Sequence, residues 1–172
     1  MIYLTPLTYA HLPYFFTWVN DDEVIEHGLF VFHNISSKTE IADWFAETLQ
    51  DPHCLNLAII DQADGQCLGY AGLSDIDLTY RTGEYFIFIG DKESWNKGIG
   101  TEVTKRVVEI GFEELQLETI LLTVSAHHPA GLTAYERAGF SVDGRHRQRS
   151  AVAGEYKDNV VMSIQKSGSA DG

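Results

Sequence analysis

Hydrophobic and polar residues follow two different spacings along the chain, and together they predict a mixture of helices and strands. Apolar positions three and four residues apart predict helices, whereas short apolar or alternating runs predict strands. The strands fall at residues 2–7, 55–61, 66–75, 82–89, 119–125, 140 onward and 156–164, with a turn at 152–154. The helices fall at residues 8–19, 23–27, 37–50, 98–115 and 130–138. We therefore expect a single α/β domain over residues 1–166, followed by a frayed tail at 167–172.

Local signals support several of these elements. Ser37 and Glu40 have the spacing of a capping box, in which each side chain accepts a hydrogen bond from the main chain of the other. The pair Asp64-Gly65 is typical of a tight turn between two strands. The longest predicted helix, 98–115, is expected to turn Val103, Val107 and Ile110 towards the core.

The composition is that of a globular protein, with 44% hydrophobic and 22% charged residues. No apolar run approaches the ~20 residues that a membrane-spanning helix needs. The first residues have neither the basic region nor the cleavage site of a signal peptide. Cys54 and Cys67 are too few for a disulfide framework and are expected to be buried free thiols. These features predict a cytoplasmic protein without a membrane partner.

The net charge of −13 narrows the classes of partner. An acidic surface repels phosphate backbones, so the charge argues against binding to nucleic acid. It favours a cationic partner, such as a primary amine or a basic peptide terminus. The alternative, that the acidity serves only solubility, stays open.

Residues 84–90 form a predicted strand whose following loop leads into the longest helix. Gly98 and Gly100, at the end of that loop, let the main chain approach a ligand without a Cβ in the way. The free amides and positive dipole end of a helix N-terminus suit a pyrophosphate. The pattern is neither a P-loop nor a dinucleotide fingerprint, because Val103 stands where the latter has its third glycine. Packing of the helix on a strand would also explain both glycines.

Two longer segments carry a family resemblance. The run Trp95-Asn96-Lys97-Gly98-Ile99-Gly100-Thr101-Glu102 resembles the acetyl-CoA pyrophosphate loop of the GNAT superfamily, whose core is Gln/Arg-x-x-Gly-x-Gly/Ala. The run 132–140, Leu-Thr-Ala-Tyr-Glu-Arg-Ala-Gly-Phe, resembles the second signature of that superfamily, Tyr-Glu-x-x-Gly-Phe. Trp95 and the segment 144–162 most resemble the branch that contains the ribosomal-protein N-acetyltransferases.

The resemblance implies the acyl-CoA N-acyltransferase (GNAT) fold, a mixed and mostly antiparallel sheet that is flanked by helices and splits near Ile89. It implies acetyl-CoA as the acetyl donor and no metal. The implied donor contacts are the main chain of Ile87, Phe88 and Ile89, the loop residues Trp95, Asn96, Lys97, Gly98, Ile99, Gly100 and Thr101, and His128. Trp95 replaces the usual Gln or Arg, so only its main-chain role carries over. His128 replaces an asparagine that commonly contacts the pantetheine arm.

The resemblance also implies two catalytic residues, Glu84 and Tyr135. An alkyl amine has a pKa of ~10.4, so the site has to remove a proton, and the matching glutamate of the family often does so through water. Period-two alternation places Glu84 on one strand face with Phe86 and Phe88, which would raise the pKa of its carboxyl. The resemblance implies that Tyr135 is the acid that protonates the CoA sulfur. The alternatives are a Glu84 that only attracts a cation and a Tyr135 that only packs in the core.

The predicted function is acetyl transfer from acetyl-CoA to a primary amine by direct attack in a ternary complex. The acceptor stays open between a protein N-terminus, a polyamine and another small amine. Two alternatives are a catalytically inactive acyl-CoA-binding sensor and a structural domain without a cofactor. A homodimer is left open, and the histidines lack the spacing of a metal site. The basic cluster at 145–149 is either a solvated strand edge or a contact for the 3′-phosphate of CoA.

Overall fold

The structure is a computed structural model that describes residues 1–26, 29–126, 128–149 and 156–166, without the side chains of residues 30, 144–149 and 156–158. Several predictions lie outside the described residues. They concern His27, His127, the turn at 152–154, the tail at 167–172 and the side chains of the basic cluster at 145–149.

The described residues form one seven-stranded sheet with flanking helices. Its strands are β1 (Ile2–Pro6), β2 (Leu55–Asp61), β3 (Cys67–Asp77), β4 (Thr82–Ile89), β5 (Thr119–Ser125), β6 (Ser141–Arg149) and β7 (Tyr156–Gln165). The helices are α1 (Leu12–Trp18), α2 (Asp22–Glu26), α3 (Lys38–Gln50), α4 (Ile99–Glu113) and α5 (Pro129–Arg137). The strand order is β1-β2-β3-β4-β5-β7-β6. The β4–β5 pair is parallel, whereas β1–β2, β5–β7 and β6–β7 are antiparallel. The predicted mixed α/β fold is confirmed.

The chain divides into two compact units. The first comprises Met1–Gly72 and Phe86–Ile99, and the second comprises Leu73–Tyr85 and Gly100–Gly172. The single domain over residues 1–166 remains a prediction.

An aromatic cluster forms the core of the first unit. At its centre the Phe15 side chain is fully buried, with ring centroids 5.0–6.3 Å from those of Trp18, Phe32, Trp44, Phe45 and Tyr70. Edge-on aromatic contacts add to the stabilisation that burial of the rings provides. The helix α3, which supplies part of this cluster, begins where the capping box of Ser37 and Glu40 predicted.

The helix α1 begins later than the predicted start at Thr8. Thr8 instead caps a short 3₁₀ turn, Tyr9–His11, and α1 starts at Leu12. Pro13 explains the difference, because proline has no N–H and its ring clashes with the carbonyl four residues earlier. An α-helix that began at Tyr9 would place that clash in its first turn, so the chain makes a tighter turn first.

In the second unit α4 packs close to the sheet. Val103 and Val107 are fully buried as predicted. Ile110, however, is only half-buried, and the buried face continues through Gly111. A Cβ at Gly111 would lie 2.8 Å from Ile120 and 3.0 Å from Leu73. The helix therefore makes its closest approach at a glycine, which turns Ile110 away from the core.

The parallel pairing of β4 with β5 is short. The described ladder joins Thr82, Gly83 and Glu84 to Thr119, Ile120 and Leu121 and ends there, although β4 continues to Ile89 and β5 to Ser125. The resemblance implied a split near Ile89, and the described ladder ends earlier, at Glu84. This places Glu84 at the last rung, where the pairing of a parallel strand stops.

Candidate active site

In the first unit, the loop after β4 is fastened by its own side chains. The Trp95 indole Nε1 donates a hydrogen bond of 2.9 Å to the carbonyl oxygen of Ile89. The buried Ser94 hydroxyl donates one of 2.6 Å to the carboxylate of Asp91. Trp95 therefore has a side-chain role that the resemblance did not supply. This bond uses one of the two lone pairs of the Ile89 carbonyl, and the predicted contact of the Ile87, Phe88 and Ile89 main chain with the donor stays a prediction.

The next part of the loop has an unusual backbone. Asn96 and Gly98 both have left-handed conformations, with φ of +61° and +80°. Alternating conformations of this kind point successive amides towards one side, as in anion-binding nests. Asn96, Lys97 and Gly98 are all exposed. A Cβ at Gly98 or at Gly100 would meet nothing within 4 Å among the described residues.

The loop and the start of α4 have the features that a pyrophosphate site needs. Open space lies over both glycines, exposed amides precede α4, and the helix start carries a partial positive charge. The Lys97 ammonium adds a full positive charge. The segment Trp95–Thr101 therefore fits the pyrophosphate of acetyl-CoA, with Ile99 and Thr101 in the first turn of α4.

A cavity of about 400 Å³ beside this loop does not suit the donor. Its lining includes the carboxylates of Asp61, Asp64, Asp91 and Glu93, against the single ammonium of Lys97. Carboxylates in that number repel a pyrophosphate. The donor is therefore expected over the glycines and not in this cavity.

We predict that Gly100→Val will weaken CoA binding without weakening the fold. Gly100 has open space around it and lies in a helix, where valine is no worse than glycine. The added methyl groups would enter the space of the phosphates, so calorimetry should show a Kd at least ~10-fold higher. Gly100→Ala is the matched control, because the family motif accepts alanine, and it should bind CoA within ~2-fold of wild type. Unchanged binding by the valine variant would contradict this donor position.

Gly98 is a poor site for the same test. Its φ of +80° strains any residue with a Cβ. A Gly98→Val variant should therefore lose both stability and affinity for CoA.

In the second unit, Glu84 is half-buried and the pKa of its carboxyl is raised. Burial is the larger cause, and repulsion by the carboxylate of Asp75 is the other. The direction of the shift is as predicted. Asp75, which sequence reasoning missed, is exposed near the end of β3 with a left-handed φ of +48°. The short connection between β3 and β4 could have identified it, because it brings the end of β3 next to the start of β4.

Tyr135 lies on α5 with its ring against two other aromatic residues. Its ring centroid is 6.1 Å from that of Tyr85 and 6.3 Å from that of Phe140. Burial raises the pKa of Tyr135 to about 12, so its hydroxyl keeps its proton throughout the neutral range. In the part of the chain that the structure describes, this hydroxyl has no hydrogen-bond partner.

His128 is the N-cap of α5, the same helix that carries Tyr135. A Cβ at Gly131 would lie 2.8 Å from Nδ1 of His128, so the imidazole fills the space that a side chain there would need. The seven residues from His128 to Tyr135 are about two turns at ~3.6 residues per turn, which places both on one side of the helix. Contact of His128 with CoA stays a prediction.

Among the described residues, no group of three or more His, Cys, Asp and Glu side chains could hold a metal ion. Within the same residues, no helix is both long and apolar enough to span a bilayer. Cys54 and Cys67 do not form a disulfide; Cys67 is buried as predicted, whereas Cys54 is only half-buried.

Comparison with known proteins identifies the family. The sequence model of the acetyltransferase (GNAT) domain matches residues 2–141. The chain therefore belongs to the GNAT acetyltransferase family, which confirms the predicted class of enzyme and, with it, acetyl-CoA as the donor.

Individual relatives are more distant. Spermidine N(1)-acetyltransferase of Escherichia coli is 26% identical over 125 residues, which span 73% of this chain and 66% of that enzyme. YdaF of Bacillus subtilis, which carries the name of a ribosomal N-acetyltransferase, is 30% identical over 60% of this chain and 56% of its own length. Spermidine N-acetyltransferase of Vibrio cholerae, solved with CoA and spermine, superposes with a TM-score of 0.85 at 22% identity, over 96% of both chains. At that identity the likeness establishes the fold.

Proposed function

We propose that this protein transfers an acetyl group from acetyl-CoA to a primary amine of a polyamine. The observation that carries the proposal is the half-buried carboxyl of Glu84 at the last described rung of the β4–β5 ladder, with the carboxylate of Asp75 on β3 close enough to raise its pKa. A polyamine carries several positive charges, so one carboxylate can accept a proton while another attracts a second ammonium. The net charge of −13 and the spermidine acetyltransferases among the relatives support the same acceptor.

Glu84 is the proposed base. An amine with a pKa of ~10.4 is mostly protonated at neutral pH and cannot attack a carbonyl in that form. A carboxylate with a raised pKa is a better proton acceptor than an ordinary one, because it is closer in pKa to the working pH. Asp75 raises the pKa of Glu84 and also adds charge that favours a cation.

Acetyl-CoA, when bound, would supply the acetyl group: the C–N bond to the acceptor would form as the C–S bond breaks, the amine proton would pass to Glu84, and CoA would leave as a thiolate that takes its proton from solvent. The segment Trp95–Thr101 would hold its pyrophosphate. The main chain of residues 87–89 and the side chain of His128 would orient its arm. Tyr135 would donate a hydrogen bond from its hydroxyl to the sulfur. The described pairing with β5 ends before Ile87, which supports a ligand role for that main chain.

An acceptor panel tests the proposal. Release of free thiol should be fastest with spermidine or spermine, and slower with an amino sugar, a monoamine or a peptide N-terminus. Because charge attracts the acceptor, KM for the polyamine should rise with salt as screening shortens the Debye length to ~8 Å at physiological ionic strength. If a peptide were the preferred acceptor at every ionic strength, the proposed acceptor would be a protein N-terminus and not a polyamine. The homodimer and the cytoplasm stay predictions, and light scattering checks the first.

Binding of the donor is a separate measurement. CoA at ~100 times its Kd should raise the free energy of unfolding by ~2.7 kcal/mol. If CoA binds but no amine is acetylated, the protein is the acyl-CoA sensor. If millimolar CoA causes no thermal shift, the donor site itself is wrong.

A further inference from the structure

Two buried polar side chains of the second unit take no part in the roles proposed above. Tyr85 of β4 is 4% exposed and Thr104 of α4 is fully buried. Their hydroxyl oxygens are 3.0 Å apart, and Oγ1 of Thr104 is 2.5 Å from the carbonyl oxygen of Gly100. A buried hydroxyl is tolerated in a core when it is hydrogen-bonded. The three groups form a continuous hydrogen-bond chain.

The number of hydroxyl protons decides which group donates and which accepts in each of these hydrogen bonds. The Gly100 carbonyl only accepts, so the single hydroxyl proton of Thr104 is donated to it. Thr104 then has no proton left for Tyr85 and accepts from it instead. The order is therefore Tyr85 O–H to Thr104 Oγ1, and Thr104 O–H to the Gly100 carbonyl.

The hydrogen-bond chain ends at the carbonyl of Gly100, and this end orients an amide of the predicted donor loop. The carbonyl of Gly100 and the N–H of Thr101 belong to one planar peptide group and point in opposite directions. Thr101 is in the first turn of α4, where an N–H has no acceptor within its own helix. Holding the carbonyl of Gly100 therefore fixes the direction in which the amide of Thr101 points.

We propose that Tyr85 and Thr104 are positioning residues for acetyl-CoA, which aim the amide of Thr101 at its pyrophosphate. The ring of Tyr85 also contacts the ring of Tyr135, at a centroid distance of 6.1 Å. One side chain thus supports both the start of α4 and the tyrosine proposed to act at the sulfur. The inference rests on the proposed acetyl-CoA site.

Three variants test the hydrogen-bond chain through the Kd for CoA, measured by calorimetry without an acceptor. Thr104→Val keeps the shape and removes the hydroxyl, and should raise the Kd about 10-fold, the equivalent of one hydrogen bond. Thr104→Ser is the matched control and should bind within about 2-fold of wild type, because it keeps the hydroxyl. Tyr85→Phe should have a smaller effect, of about 3-fold, since Thr104 still donates to Gly100. In the unliganded protein, the amide proton resonance of Thr101 should move in Thr104→Val and not in Thr104→Ser.

The double variant Tyr85→Phe with Thr104→Val separates positioning from stability. Thr104→Val alone leaves the buried Tyr85 hydroxyl without its acceptor, whereas the double variant replaces both partners by apolar groups and should fold like wild type. If the chain positions the donor loop, the double variant folds but still binds CoA about 10-fold more weakly. Wild-type affinity in the folded double variant would overturn the inference and leave a stabilising role. Failure of the wild type itself to bind CoA would overturn the proposed function and this inference with it.

Discussion

Tyr135→Phe should lower kcat by ~10²-fold and leave the fold and the Kd for CoA nearly unchanged. The substitution keeps the ring that contacts Tyr85 and Phe140, so the packing stays. It removes only a hydroxyl that has no hydrogen-bond partner within the described chain. A phenol with a pKa of about 12 is a weaker acid than a thiol of ~8.5, so complete proton transfer to the sulfur is uphill. We therefore expect the hydroxyl to act mainly as a hydrogen-bond donor to developing negative charge.

The control for this prediction is Tyr70→Phe, which removes another deeply buried tyrosine hydroxyl, in the first unit. It should leave kcat within ~2-fold of wild type. The measurement needs a kcat that reports the chemical step, which is checked by its independence from solvent viscosity. Under those conditions, equal kcat values for Tyr135→Phe and wild type would make Tyr135 a packing residue.

Local signals in the sequence predicted most of the fold. The capping box at Ser37 and the glycine of the Asp64-Gly65 turn act over a few residues, and the structure has the helix and the left-handed turn that they predict. The start of α1 was wrong because the proline effect at Pro13 was not weighed against the capping signal of Thr8. The predicted burial of Ile110 was wrong because the helical period alone does not reveal that Gly111 is the point of closest approach to the sheet.

The candidate site was harder to predict where tertiary contacts decide the chemistry. Glu84 and Tyr135 could be selected because each occupies a family motif. Asp75 acts on Glu84 through space, and no motif marks it. Thr104 had a weak signal, as a polar residue beside Val103 and Val107 in the helix stripe, but its partners Tyr85 and Gly100 are visible only in the structure.

Glu84→Gln should lower turnover by ~10²–10⁴-fold near pH 7 if Glu84 is the base. Glutamine has nearly the same shape but cannot accept the proton at neutral pH. As the pH rises towards the amine pKa of ~10.4, solvent removes the proton and much of the loss should recover. Glu109→Gln, on the exposed side of α4, is the matched control and should behave like wild type. Both parameters, kcat and KM, should be measured from about pH 6 to pH 10 at two ionic strengths.

Asp75→Asn then tests why the pKa of Glu84 is raised. Because a base has to be ionised, a raised pKa moves the acid limb of kcat/KM to higher pH than an ordinary glutamate of ~4.3 would give. Removing the repulsion of Asp75 should lower the pKa of Glu84 and shift that limb to lower pH, while KM for a polyamine rises because one attracting charge is lost.

If Glu84 only attracts the acceptor, Glu84→Gln should change KM alone and salt should abolish the change. In that case the proton would have to leave through a water held by main-chain carbonyls, and the acid limb would not respond to Asp75→Asn.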